Sequence, residues 1–210
     1  EVRSPKQIES LFLNNQEGLY SVPQSNFLKL PGCPIAYWAD NNLVNIFETS
    51  KQTINDVANP RQGLATADNE QFTRYWFEVE FSNVGFKKNK ESALLSGLKW
   101  FPYNKGGEFR KWYGNQLLVV NWGHDGQDIK NDKLSKLERG LCLPSNSKPK
   151  NMDSYFKESI SWSKVTAGGL SLRYFEEGFV FDVAGCSIFA DYDYLILLMG
   201  LLNSNLKMPL

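Results

Sequence analysis

The chain has 210 residues, 42% of them hydrophobic and 22% charged, with 23 basic and 23 acidic side chains. That is enough apolar chain to bury a core and too much for a disordered segment, and the zero net charge excludes a uniformly cationic nucleic-acid coat. The charge is segregated, however: Phe86 to Lys111 carries seven basic residues against two acidic ones, whereas Tyr174 to Leu206 has five acids and no Lys or Arg. Three widely spaced cysteines (Cys33, Cys142, Cys186) without CxxC spacing argue against a disulfide framework. No basic region is followed by a signal-like apolar run, and the longest apolar stretch, Tyr194 to Leu202, is too short to span a bilayer. A cytoplasmic protein without membrane contact is expected. The start at Glu1, without Met, reads as a piece of something larger.

In chain order, Pro5 to Asn14 is expected to be helical, with Ile8, Leu11 and Phe12 on one face. Asp40 or Asn41 caps a second predicted helix carrying Leu43, Val44 and Phe47. Thr53 to Ala58 reads as a short strand running into a turn at Asn59-Pro60-Arg61-Gln62-Gly63. Arg74 to Phe81 alternates and is rich in aromatics, the pattern of a strand, and Lys90 to Ser96 suits a helical turn or two. Gln116 to Asn121 is a buried-strand pattern closed by Gly123-His124-Asp125-Gly126, followed by a helical stretch from Asp128 to Leu137 and a polar loop from Leu141 to Asn151. Short strands are expected at Glu158 to Ser163, Leu170 to Phe175, Phe179 to Asp182 and Ser187 to Phe189, then an apolar helix from Asp193 to Asn203. The sum is an α+β fold, a strand-rich mixed-sheet domain with flanking helices. A helical lead-in over residues 1–50, packed on a main domain over 51–210, is the expected organisation.

Three stretches stand out chemically. Lys99 to Gly114 (KWFPYNKGGEFRKWYG) interleaves four cations with six aromatics around Gly106-Gly107. Cations neutralise phosphates, rings stack, and paired glycines let a backbone approach a ligand closely. In the second stretch, Asn59 to Phe72, Arg61, Gln62, Thr66 and Asn69 follow residue types that pair with guanine, adenine or phosphate, though an ordinary polar turn has the same composition. In the third, Lys157 to Tyr174, Ser159, Ser161 and Ser163 alternate with Ile160 and Trp162. One strand face therefore carries hydroxyls, and Lys164, Thr166 and Arg173 flank a Gly168-Gly169 turn. A half-exposed hairpin without ligand fits that pattern equally.

Catalytic signatures are absent: no GxGxxG, P-loop, HExxH, GxSxG or clustered Cys/His spacing occurs. His124, the sole histidine, reads as a hairpin-tip residue, and Asp182 and Asp191 flank the strand GCSIFA. Asn59-Pro60-Arg61-Gln62 has the outline of the Asn-Pro-Pro-aromatic loop of amino-group methyltransferases. Arg61 and Gln62 cannot supply its base-stacking ring, so it is not a catalytic motif.

The ordered segments KLPGCPIAYWAD (29–40), DVANPRQGLATADNEQFTRYWFEV (56–79), KWFPYNKGGEFRKWYGN (99–115), VVNWGHDG (119–126), YFKESISWSKVTAGGLSLRY (155–174) and GFVFDVAGCSIFAD (178–191) carry a resemblance over roughly Phe27 to Ser204. They resemble the C-terminal portion of the large adenine-specific DNA methyltransferases of BREX phage-defence and related restriction-modification systems. That portion is similar to the TaqI-like C-terminal specificity domain and to other restriction-modification target-recognition domains. The resemblance implies a double-stranded DNA recognition domain fused to an N-terminal methyltransferase domain. That other domain would hold S-adenosylmethionine, so no cofactor, metal or catalytic centre is expected in this chain.

Combining segment matches with side-chain chemistry, the expected phosphate contacts are Lys105, Gly106, Gly107, Arg110, Lys111 and Lys164. The expected base-edge or groove contacts are Arg61, Gln62, Gly63, Thr66, Asn104, Trp162, Ser163 and Arg173. The rival expectation is an aromatic-lined carbohydrate or protein-interaction module using Trp100, Trp112 and Trp162 as platforms.

Overall fold

The structure is a computed structural model and describes residues 4–14, 20–50 and 53–204. The chain divides into two compact units, one extending to Thr53 and the other beginning at Ile54. The boundary expected at 50/51 adjoins Lys51 and Gln52, which lie outside the described residues. The first unit contains helix α1 (Pro5–Asn14), a 3-10 helix over Gln24–Lys29, and helix α2 (Asn41–Thr49). Asp40 starts α2 because its carboxylate accepts from the backbone N–H of Leu43 at 2.7 Å, satisfying a donor the helix itself leaves open. Val44 is buried, and Lys29 pairs with Glu48 at 3.1 Å.

The second unit runs α3 (Ile54–Val57), β1 (Asn59–Arg61), α4 (Asn69–Phe72), β2 (Thr73–Tyr75), α5 (Lys90–Leu95), β3 (Trp100–Asn104), β4 (Leu118–Asn121), α6 (Gly123–Glu138), β5 (Ser159–Trp162), β6 (Leu172–Phe175), β7 (Val180–Phe181), β8 (Ser187–Phe189) and α7 (Tyr192–Asn203). Its strands form two four-stranded sheets, ordered β1-β8-β5-β6 and β2-β4-β3-β7. All pairs are antiparallel except β3 with β7. The α+β fold expected from the sequence is the one observed. Among the described residues no helix is long and apolar enough to cross a membrane.

Two apolar clusters hold this unit. Phe101, Tyr103, Val120, Trp122, Tyr155 and Phe181 dominate the larger. Ile160, Leu172, Ile188, Leu195 and Leu198 form the smaller, where α7 covers the β5–β6–β8 side of its sheet. Between the two sheets the Phe181 and Phe189 rings pack 5.2 Å apart, and beside them lies a polar contact. The Asn104 amide donates to Ser161 Oγ at 2.7 Å and Gly185 O at 3.2 Å, and Ser161 Oγ donates to Cys186 O at 2.8 Å. Small hydroxyl side chains let the backbones approach while satisfying one another's buried groups.

Several expectations need correction. Thr53 to Ala58 is not a strand: Ile54–Val57 is a helical turn, despite its β-branched residues. The turn expected at 59–63 begins as β1, and Pro60 is tolerated there because β1 is an edge strand. The strand expected over 74–81 ends at Tyr75, where the Glu78 carboxylate accepts from the Tyr75 N–H at 2.7 Å and turns the chain into a 3-10 helix. The hydroxyl face of β5 points inward: Ser159, Ser161 and Ser163 are all buried. His124 is not at a hairpin tip. With Asp125 and Gly126 it takes positive φ in the turn between β4 and the body of α6.

Candidate nucleic-acid interface

The three stretches singled out in the sequence meet at one rim of the second unit. Arg61 ends β1 opposite Ser187, Ser161 pairs with Arg173, and Asn104 ends β3 beside Phe181. The loops that leave these strand ends, 62–69, 105–117, 163–171 and 182–186, are therefore neighbours. They are laced together by backbone bonds: Val183 N–H to Leu64 O (3.0 Å), Asp182 N–H to Asn104 O (2.8 Å) and Lys164 N–H to Ala184 O (2.9 Å). Gly106, at φ 73°, lies so close to the 182–186 loop that a Cβ there would sit 2.6 Å from Ala184 O. A Cβ on Gly168 would likewise meet the Phe109 ring at 2.6 Å. The close approach these glycines permit is thus between the protein's own loops.

On this rim the expected contact residues fall into two groups. The side chains of Arg61, Gln62, Arg110 and Lys164 are exposed. Lys105 is partly exposed and oriented from below: Nζ hydrogen-bonds Asn69 Oδ1, lies 3.6 Å from Asp182 Oδ2 and sits over the Tyr103 ring. The Tyr103 hydroxyl donates to the same Asp182 carboxylate, and burial followed by that neighbouring charge pushes the Tyr103 pKa well up. Gly107 is exposed, and its carbonyl accepts from Ser163 Oγ at 2.8 Å. Of these, Lys105, Gly107 and Arg110 line a cleft of about 630 Å³ whose walls also include Glu108, Tyr113 and Asn115. Asn115, at φ 59°, closes the loop by donating to Glu108 O at 2.9 Å.

The second group supports the rim from inside. Asn104 is 1% exposed, and its amide is taken up by the inter-sheet bonds and by the Gly106 N–H at 3.2 Å. Thr66 is buried and donates to Asn69 Oδ1 at 2.7 Å, which orders the residue that holds Lys105. Gly63 allows Phe181 to pass, since a Cβ would sit 1.9 Å from Phe181 O. Trp162 packs against the smaller apolar cluster under α7. Lys111 Nζ donates to Asn203 O at 2.6 Å, at the C-terminal end of α7 where a helix's free carbonyls favour a cation. Asn69, named in the sequence for its base-pairing chemistry, instead holds Lys105, and sequence reasoning missed Asn115 and Asn203; the last clamps β6 by exchanging two 2.8 Å bonds with the Leu172 backbone.

Arg173 is the largest fully buried side chain. It donates to Arg110 O at 3.2 Å and Ser163 Oγ at 3.0 Å, and its Nε has no hydrogen-bond partner. No ion pair to it is found among the described residues, and burial lowers its pKa. A guanidinium so placed, beneath Arg110 and Gly107, adds positive potential to the rim. The Trp100 platform expected by the rival reading is flanked by Arg74 and Lys99, at 5.8 and 5.7 Å from its ring.

Relatives carry the same sequence in a larger setting. The chain is 38% identical over 192 residues to "Adenine-specific methyltransferase PglX" of Lacticaseibacillus casei (strain Zhang), which covers 91% of this chain and 16% of that protein. The chain is homologous to one segment of an adenine-specific methyltransferase. A second such relative, "Adenine-specific methyltransferase BrxX" of Escherichia coli O9:H4 (strain HS), is 34% identical over 181 residues, which is 85% of this chain and 13% of the relative. The chain thus spans 13% to 16% of the length of these curated methyltransferases. No protein-family profile matches it. An alignment over 91% of the 210 residues leaves too few unaligned residues at either end to exclude the rim loops between 62 and 186.

Proposed function

We propose that this chain is the double-stranded DNA target-recognition segment of an adenine-N6 DNA methyltransferase acting in phage defence or restriction-modification, and that the loop rim is its DNA face. The observation that carries the reading is that Arg61, at the end of β1, and three converging loops bearing Gln62, Lys105, Arg110 and Lys164 share one edge, in a segment homologous to adenine-specific methyltransferases. Lys105, Arg110, Lys164 and the Gly107 backbone grip phosphates and fix register, and Arg61 and Gln62 reach base edges. Fixing the Lys105 ammonium with Asn69 and Asp182 reduces the side-chain entropy lost on binding.

The methyl-transfer chemistry and S-adenosylmethionine belong to the rest of the enzyme, and no residue of this chain is assigned to that cofactor. This segment holds the duplex while the catalytic domain extrudes the adenine, at a cost of a few kcal/mol of unstacking that contacts to the duplex offset. The test is DNA affinity of the full-length enzyme against salt, for the wild type and for Arg110→Glu with Lys164→Glu. Each lost phosphate contact should reduce the log–log slope by about 0.9, on every DNA sequence alike. Unaltered affinity and slope in the double variant would remove the rim from the DNA path.

A further inference from the structure

A second basic feature lies beside the rim. A pocket of about 350 Å³ opens between the Gln62 loop, α6 and the loop after α6, and four lysines line it: Lys133, Lys136, Lys148 and Lys150. No acidic side chain lines it. Its walls are fixed by bonds that leave the ammonium groups of the outer pair unused. Asn151 donates to Gln62 O at 2.8 Å, the Tyr155 hydroxyl donates to Lys150 O at 2.9 Å, and buried Lys133 donates to Asn146 O at 3.0 Å. Lys136 is balanced by Asp132 at 2.7 Å, while Lys148 and Lys150 are exposed and have no ion pair among the described residues. Burial is the main cause that lowers the Lys133 pKa; Lys136 and Lys150 add to it, and Cys142 and Asp132 oppose it.

We propose that this pocket binds backbone phosphates of the duplex flanking the recognised sequence. The inference rests on the DNA reading above and extends the contact surface beyond the rim. The two surfaces are continuous. Gln62, in the pocket wall, follows Arg61, and Ala67, also in the wall, leads to Asn69, which holds Lys105. Val183 completes the wall and lies between Asp182 and Ala184, the partners of Lys105 and of the Lys164 backbone. Lysine ammonium groups are point charges without the forked geometry that selects carboxylates or bases, which suits contacts independent of sequence. Ala65 and Ala67 keep that side of the wall free of long side chains.

The experiment measures salt-dependent DNA affinity of the full-length enzyme carrying Lys148→Glu with Lys150→Glu, beside wild type and Arg110→Glu. Lys148→Gln with Lys150→Gln serves as the milder pair, and inorganic pyrophosphate is titrated separately by thermal shift. Loss of two phosphate contacts should reduce the log–log slope by about 1.8 in both pairs and weaken binding roughly 10-fold or more near 0.1 M salt, with the methylated sequence unchanged. An unchanged slope in both pairs, with Arg110→Glu weakened, overturns the pocket assignment and leaves the rim standing. If Arg110→Glu is also without effect, the DNA reading itself fails. Stabilisation by pyrophosphate that needs Lys148 and Lys150, with DNA binding unaltered, would make this a free-phosphate site and likewise overturn the duplex assignment.

Discussion

Replacing Asn104 by Ala separates scaffold from DNA reader. The Asn104 amide donates at 2.7 Å to Ser161 Oγ and at 3.2 and 3.4 Å to Gly185 O and Ser187 Oγ, and its oxygen accepts from Gly106 N–H at 3.2 Å. Hydrogen bonds of this kind contribute about 0.5–1.5 kcal/mol each, and a buried group left unpaired costs about 1–3 kcal/mol. The three longer bonds belong at the low end of that range. Ser161 Oγ keeps Cys186 O and Gly185 O keeps Ser187 Oγ, so the Gly106 N–H is the clear orphan. The expected loss is about 3 kcal/mol, a fall in melting temperature on the order of 6–12 °C for a chain of this size. Urea unfolding of wild type and variant, read by tryptophan fluorescence, measures it. A loss below about 1 kcal/mol with a changed DNA preference would show that Asn104 faces the ligand, and would refute its role between the two sheets.

Lys111→Met should cost about 1–1.5 kcal/mol by removing the bond to Asn203 O at the end of α7, with the salt dependence of DNA binding unchanged. Calorimetric melting together with a salt titration checks both halves. Tyr155 gives a pH test. Burial, followed by the charge of Asp182, raises its pKa far above the ordinary value, so the folded state keeps a proton that the unfolded state releases above about pH 10. Stability from this group is fully present below pH 10 and falls as pH rises, by about 1.4 kcal/mol per pH unit. Tyr155→Phe should therefore show a shallower alkaline limb in urea unfolding between about pH 10 and 12, and parallel limbs would contradict the assignment.

The sequence was legible where local chemistry decides. The Asp40 cap, the short strand from Ser187 to Phe189 and the apolar run of α7 all matched the structure. It was misleading where tertiary contacts override local signals. Trp100 to Asn104 lies amid cations yet forms a buried strand between β4 and β7, because Phe101 and Tyr103 fill the larger core. Alternation along β5 showed two distinct faces, but both are covered, one by α7 and one by the other sheet, so polarity did not reveal the exposed side. Arg173 read as a cation available to DNA; its pairing with Ser161 on the inward face places it beneath the rim instead. The lysine pocket joins residues 62 to 183, a proximity that no local pattern encodes.

If the rim is the DNA face, Arg61 and Gln62 set which sequence is methylated. Genome-wide mapping of N6-methyladenine in cells expressing the full-length enzyme with Arg61→Ala and Gln62→Ala tests it most directly. A lost bidentate contact to a base removes about 1–3 kcal/mol of discrimination, so the methylated motif should become degenerate at one or two positions while methylation persists. Methylation of the original motif alone, at wild-type levels, would remove Arg61 and Gln62 from base reading.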